Sequence, residues 1–256
     1  MKKRTAWILV AGVAAIALGA AAVGGLALVL RGNATGNTWS SNSYLYLNLR
    51  ESIPEESPTE LGSLFERHPP SLRTLVEALD RAAGDAKVTG VVLRVGFLPD
   101  AGWGKVQELR DAVVRFRKSG KPVQAHLEFC GNKEYYLATA CSRVTAVPEA
   151  LLDITGLHSE SMFFGGTLKK IGVEAQFEGV GKYKNAPNQF TEEGFTEPHR
   201  EQMTALLDSL YGQYVEAIAT SRKKTPAEVQ AIIDAGPYDG HGALKAGLID
   251  ELLYQD

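Results

Sequence analysis

The sequence is short of the residues that hold metals and nucleotides. It has two cysteines, Cys130 and Cys141, whose spacing fits neither a zinc pattern nor a CxxC redox motif. Either they pair in an exported domain or they are two small buried side chains; the second is the commoner fate of free cysteine. Five scattered histidines (His68, His126, His158, His199, His241) form no HExxH and no paired spacing, so no metal site is expected. No Walker or dinucleotide glycine pattern occurs, and no cofactor is expected. With a formal net charge of −3 and no basic stripe, nucleic acid is not an expected partner. Short repeats and low-complexity tracts are also missing.

Long apolar runs are missing too, with one exception. Lys2, Lys3 and Arg4 precede an uncharged stretch from Trp7 to Leu30, closed by Arg31. At about 24 residues it can cross roughly 30 Å of hydrocarbon with some tilt. A signal peptide's apolar core is shorter, about 7–15 residues. The reading is therefore a basic cytoplasmic tail (1–6), a single-pass anchor in the cytoplasmic (inner) membrane (7–30) and a polar linker (31–42). Small residues at Gly19-Ala20-Ala21-Ala22 keep a cleaved signal peptide as the alternative. Residues 43–256 would face the periplasm or cell exterior.

Beyond the linker, strands and helices alternate. Ser43–Leu49 and Val88–Val95 read as strands, as do Pro122–Leu127, Arg143–Val147 and Val173–Val180. Ser71 caps a helix reaching about Ala83. Lys105–Lys118, Glu134–Cys141 and Ser159–Ile171 read as helices. Glu197–Arg222 is a long amphipathic helix with Met203, Leu206, Leu207, Leu210, Tyr214, Val215 and Ile218 inward. Thr225 caps a last short helix from Pro226 to Ala235. Units of about 30 residues suit βαβ crossovers, and the alternation predicts an α/β domain with a parallel sheet covered on both faces.

Several segments share one order and spacing with a known family. They are the apolar amino-terminal run, Val88-Thr89-Gly90-Val91-Val92-Leu93, Ser119-Gly120-Lys121-Pro122-Val123 and Glu134-Tyr135-Tyr136-Leu137-Ala138-Thr139. Leu168-Lys169-Lys170-Ile171-Gly172-Val173, Gly181-Lys182-Tyr183-Lys184-Asn185-Ala186 and Tyr238-Asp239-Gly240 with Ala246-Gly247-Leu248-Ile249-Asp250 follow. Together they resemble the amino-terminal half of a tandem-domain signal peptide peptidase (protease IV). The resemblance implies a crotonase/Clp-protease-like fold and a serine–lysine dyad that cuts hydrophobic peptides such as remnant signal peptides. In two-domain members the base comes from the first domain and the serine from the second. Lys184 matches the base in the family's Gly-x-Tyr-Lys-x-Ala pattern; Lys182, Lys169 and Lys170 read as solvated.

The family's serine is not at its place. Where a Ser-Gly-Gly would precede the aromatic pair, this chain has Asn132-Lys133-Glu134 before Tyr135-Tyr136. The oxyanion-donor loop is replaced by Pro99-Asp100-Ala101-Gly102. Cys130 is offset from the serine position, and Ser159 is accounted for as a helix cap. The resemblance thus implies a general base without its nucleophile, completed by a serine-bearing second domain or by a homo-oligomer. A serine hydroxyl needs a neighbouring base, and a lysine serves only if apolar surroundings disfavour its charged form. The rival readings are a non-catalytic membrane scaffold that keeps the fold and, less suited to an exported domain, a crotonase-type acyl-thioester enzyme.

Overall fold

The computed structural model describes residues 41–56 and 69–254. The expected tail and anchor, and all but the last two residues of the linker, lie outside the described residues. Among the described residues no helix is long and apolar enough to cross a membrane.

Four strands build the sheet in sequence order: β1 (Ser43–Leu49), β2 (Val88–Val95), β3 (Val123–Gly131) and β4 (Arg143–Asp153), all parallel. The helices α1 (Leu72–Gly84), α2 (Trp103–Arg117) and α3 (Asn132–Ala138) make the three crossovers. Crossovers of one hand that always step in the same direction put every helix on the same face. Cover on both faces needs a reversal of strand order, and none occurs. The burial pattern follows. Leu47, Leu93, Ala125 and Val144 lie side by side across the sheet and are buried, as are Leu49, Val95, Leu127 and Ala146. The opposite face carries Tyr44 and Tyr46, half exposed, and the ion pairs of Glu128 with Arg50 and Arg94. The expectation of a sheet closed on both faces is corrected: the helix-covered face is closed throughout, while the other is open along β1 and closed only at its β3–β4 end, where His126 and Thr145 are buried.

The sheet is also mixed rather than wholly parallel. The two-residue strand β5 (Tyr238–Asp239) pairs antiparallel with the end of β4, and β6 (Glu251–Leu252) pairs parallel with its beginning. β3 and β4 run further than expected because both continue past an irregularity at Leu127/Phe129 and pair again from Phe129↔Leu151 onward. Gly90 inside β2 has a local reason: a Cβ there would lie 2.6 Å from Tyr44 Cε1 and 2.9 Å from the Pro122 carbonyl.

After Ile154 the chain changes character. From Thr155 to Gln213 no residue is buried. The expected helix over Ser159–Ile171 shrinks to α4 (Gly165–Lys170), and Val173–Val180 is not a strand. That segment has an apolar alternation but no neighbouring strand to pair with among the described residues, and Val180 is 95% exposed. The short α5 (Asn188–Thr191) leads to α6 (Glu197–Arg222), whose bounds are those expected. Only its second half packs on the core, through Tyr214, Val215, Ala217, Ile218 and Ala219. Met203, Leu206, Leu207 and Leu210, expected to face inward, are half-buried or exposed; Leu206 is 51% exposed. α7 (Pro226–Asp234) starts at a capping box of Thr225 and Glu228, and α8 (Gly240–Ala246) is capped by Asp239 and ended by Gly247 at φ 72°.

Candidate active site

Lys184 sits in a turn that the chain fastens on either side. Gly181 takes φ 96°, the left-handed region that glycine adopts without strain, and the Lys184 N–H donates to the Gly181 carbonyl at 3.3 Å. The Tyr183 hydroxyl donates to Glu201 Oε1 of α6 at 2.7 Å, and Lys182 Nζ stands 3.4 Å from Glu201 Oε2. Asn185 Nδ2 donates to Gln202 Oε1 at 2.7 Å. The Tyr183 hydroxyl, aided by Lys182, holds the Glu201 carboxyl below its ordinary range, and the Tyr183 and Glu201 bonds hold the Lys182 ammonium above its own. The neighbours of Lys184 are thus committed to α6. Lys184 Nζ has no hydrogen-bond or ion-pair partner among the described residues.

Its side chain opens on a cleft of about 690 Å³. One wall is the α6 stripe His199, Gln202, Met203 and Leu206; the other is the extended run Glu160, Ser161, Met162 and Phe163. Met162 is 71% exposed. The arrangement is an open, largely apolar trough with Lys184 among its lining residues. Lys184 itself is exposed.

The start of α3, where the resemblance would place a serine, is filled by polar side chains of the chain itself. Asn132 opens α3, and its Nδ2 donates to the Gly156 carbonyl at 2.7 Å while its Oδ1 is buried without a partner. Glu134, 1% exposed, turns back over the start of the helix. Its Oε1 accepts from the Leu98 N–H and its Oε2 from the Gly131 N–H, both at 3.0 Å. Lys133 Nζ donates to the Ala101 carbonyl at 2.7 Å. Backbone donors from two segments are therefore satisfied by the chain's own carboxylate. The loop 98–101 is tied down by the same side chains. Asn132, Lys133 and Glu134 do not line the Lys184 cleft.

The rest of that corner is inert. Cys130 and Cys141 are both buried and unpaired; burial pushes the Cys130 thiol far up and that of Cys141 to about 12. The Tyr135 hydroxyl donates to the Leu248 carbonyl, and Tyr136 packs edge-on against Trp103 with the Arg110 guanidinium over its ring. The sequence singles out Lys184 and the serine-free start of α3 only through their resemblance to the family's motifs. Glu134, the buried carboxylate, has no signal there beyond standing where the motif has a glycine. His199 shares one helix face with Gln202, Met203 and Leu206.

Lys184 thus lines an open trough, and the start of α3, which carries no hydroxyl, lies outside it. The model of "Peptidase family S49" matches residues 115–256, more than half of the chain. The chloroplastic serine protease SPPA of Arabidopsis thaliana is 34% identical over 214 residues, covering 84% of this chain and 31% of that protein. Protease 4 of Salmonella typhi is 28% identical, covering 72% of this chain and 30% of the relative. The chain thus spans about a third of the length of these relatives. Among solved structures, a membrane-bound stomatin-specific protease matches at TM-score 0.45 and 12% identity, covering 84% of this chain and 81% of its own. An enoyl-CoA hydratase/isomerase family member matches at TM-score 0.41 and 15% identity, covering 71% and 59%. The family match takes in α3, the Lys184 turn and the whole of the exposed stretch 155–213; the chain belongs to peptidase family S49.

Proposed function

We propose that this chain is the lysine-bearing part of a membrane-anchored serine–lysine endopeptidase of the signal peptide peptidase type. Lys184 is the general base. The serine and its oxyanion donors come from a second domain or from a partner, a further copy of the chain included. Substrates are hydrophobic peptides, remnant signal peptides among them. The anchor is residues 7–30, in the inner membrane, with the domain on the periplasmic or outer side.

One observation carries this reading. The turn 181–185 is fixed to α6 on both sides of Lys184, and Lys184 alone is left to face an apolar trough. A solvated surface lysine needs no such mount. The exposed stretch 155–213 supports the need for a partner. Met162, Ile171, Phe177, Val180 and Leu206 are all more than half exposed, more than an isolated domain ordinarily leaves along one continuous stretch. A domain seated there would exclude water from Lys184, and base and nucleophile need not share a chain. In the reaction, the neutral amine takes the serine proton as the hydroxyl oxygen attacks the peptide carbonyl, then returns it to the leaving nitrogen.

The test is cleavage of a hydrophobic peptide by the full-length protein in detergent. Lys184→Ala abolishes cleavage and Cys130→Ala leaves it intact. Cleavage that survives Lys184→Ala removes the base assignment. The scaffold reading, favoured by the self-filled start of α3, expects no cleavage from any assembly of the protein.

A further inference from the structure

Resting on the reading of this trough as a peptide site, we propose that His199 is a substrate-binding residue that hydrogen-bonds the peptide backbone. The imidazole stands in an aromatic nest, edge-on to Phe163 at 5.9 Å and to Phe195 at 4.7 Å between ring centroids. Its Nδ1 is buried without a partner. A phenylalanine would fill the same nest and leave no orphaned nitrogen, whereas a buried polar atom without a partner is destabilising. Packing alone therefore does not account for a histidine here; its polar edge does. With Nδ1 shut in, Nε2 is the atom available to a ligand.

The surroundings favour a peptide as that ligand. Met162, Phe163, Met203 and Leu206 offer apolar contact for side chains along both walls. A peptide laid there must also satisfy its backbone N–H and C=O groups, since burying them unpaired is costly. Tyr183, Asn185 and Gln202 are already committed to the joint between the lysine turn and α6. His199 is not. It lies one helical turn from Gln202 and Met203 on the same stripe, within the cleft that Lys184 enters. The trough thus has one fixed imidazole to register the peptide backbone and one amine to act on the serine.

The experiment measures binding of a fluorescent leucine- and alanine-rich decapeptide to the full-length protein by anisotropy. Thermal midpoints are recorded on the same samples. His199→Phe keeps the aromatic packing and removes the nitrogens. It is expected to weaken binding about five- to tenfold, the worth of one hydrogen bond, with the thermal midpoint unchanged or raised. His199→Gln, whose amide reaches the Nε2 position, is expected to bind within about twofold of the parent. Unchanged affinity in His199→Phe overturns the proposal. So does a loss of affinity that travels with a lowered thermal midpoint, or a parent protein that does not bind the peptide. Lys184→Ala separates the two readings: it keeps peptide binding and loses cleavage. If it still cleaves while His199→Phe weakens binding, the base assignment fails and His199 stands.

Discussion

Removing the Glu134 carboxylate should cost this domain a large part of its stability. The side chain is buried and accepts two charge-assisted bonds, from Leu98 N–H and Gly131 N–H, each 3.0 Å. Hydrogen bonds to a charged group contribute about 1.5–3 kcal/mol each, and orphaned buried donors carry their own desolvation cost. Glu134→Ala therefore loses about 3–5 kcal/mol. Glu134→Gln keeps one carbonyl oxygen but turns an NH₂ toward the second N–H, so its loss is about half as large. Domain stabilities of about 5–15 kcal/mol leave the glutamine variant foldable throughout and the alanine variant foldable above the bottom of that range. Urea unfolding followed by tryptophan fluorescence measures this directly. With a slope of about 2 kcal/mol per molar, the alanine midpoint falls by about 1.5–2.5 M and the glutamine midpoint by about half that. An alanine variant within about 0.5 kcal/mol of the parent would refute the claim that Glu134 locks the loop to α3.

Other outcomes follow from the same structure. Asn132→Ser alone stays unlabelled by a fluorophosphonate probe, because the nearby backbone donors remain occupied by Glu134 and Lys184 does not line that corner; labelling at position 132 would contradict both points. Burial holds the His126 imidazole below its ordinary value, so the unfolded chain takes up the proton first as pH falls. Its stability contribution is whole above about pH 6.5 and is lost below it, so His126→Gln flattens the fall in urea midpoint between about pH 7.5 and 5.5. Neither cysteine is alkylated by iodoacetamide in the native protein and both are in urea, with mass spectrometry as the readout. Gly90→Ala drives a methyl into Tyr44 and the Pro122 carbonyl and lowers stability by about 1–3 kcal/mol, measured by the same unfolding assay.

The sheet and its crossovers were legible because their signals are local. Ser43–Leu49 and Val88–Val95 have the expected bounds, and Ser71 and Thr225 cap the helices assigned to them. Misreadings concentrate between residues 155 and 213. Apolar periodicity reports that a residue will be covered without saying by what. Val173, Ala175 and Phe177 alternate like a strand, and Met203 and Leu206 recur like a core stripe, yet none is buried in this chain. Lys184 stands out in the sequence only through its motif, and its role rests on that resemblance. Glu134 does not stand out, because its partners Leu98 and Gly131 meet it only through the turn between β3 and α3 and the loop after β2.

The stretch without a sealed side chain has a further consequence. On the reading proposed above, a base left in water until a neighbour covers it makes activity depend on encounter: dispersed copies would be idle, and turnover would rise more steeply than in proportion to the amount of protein present.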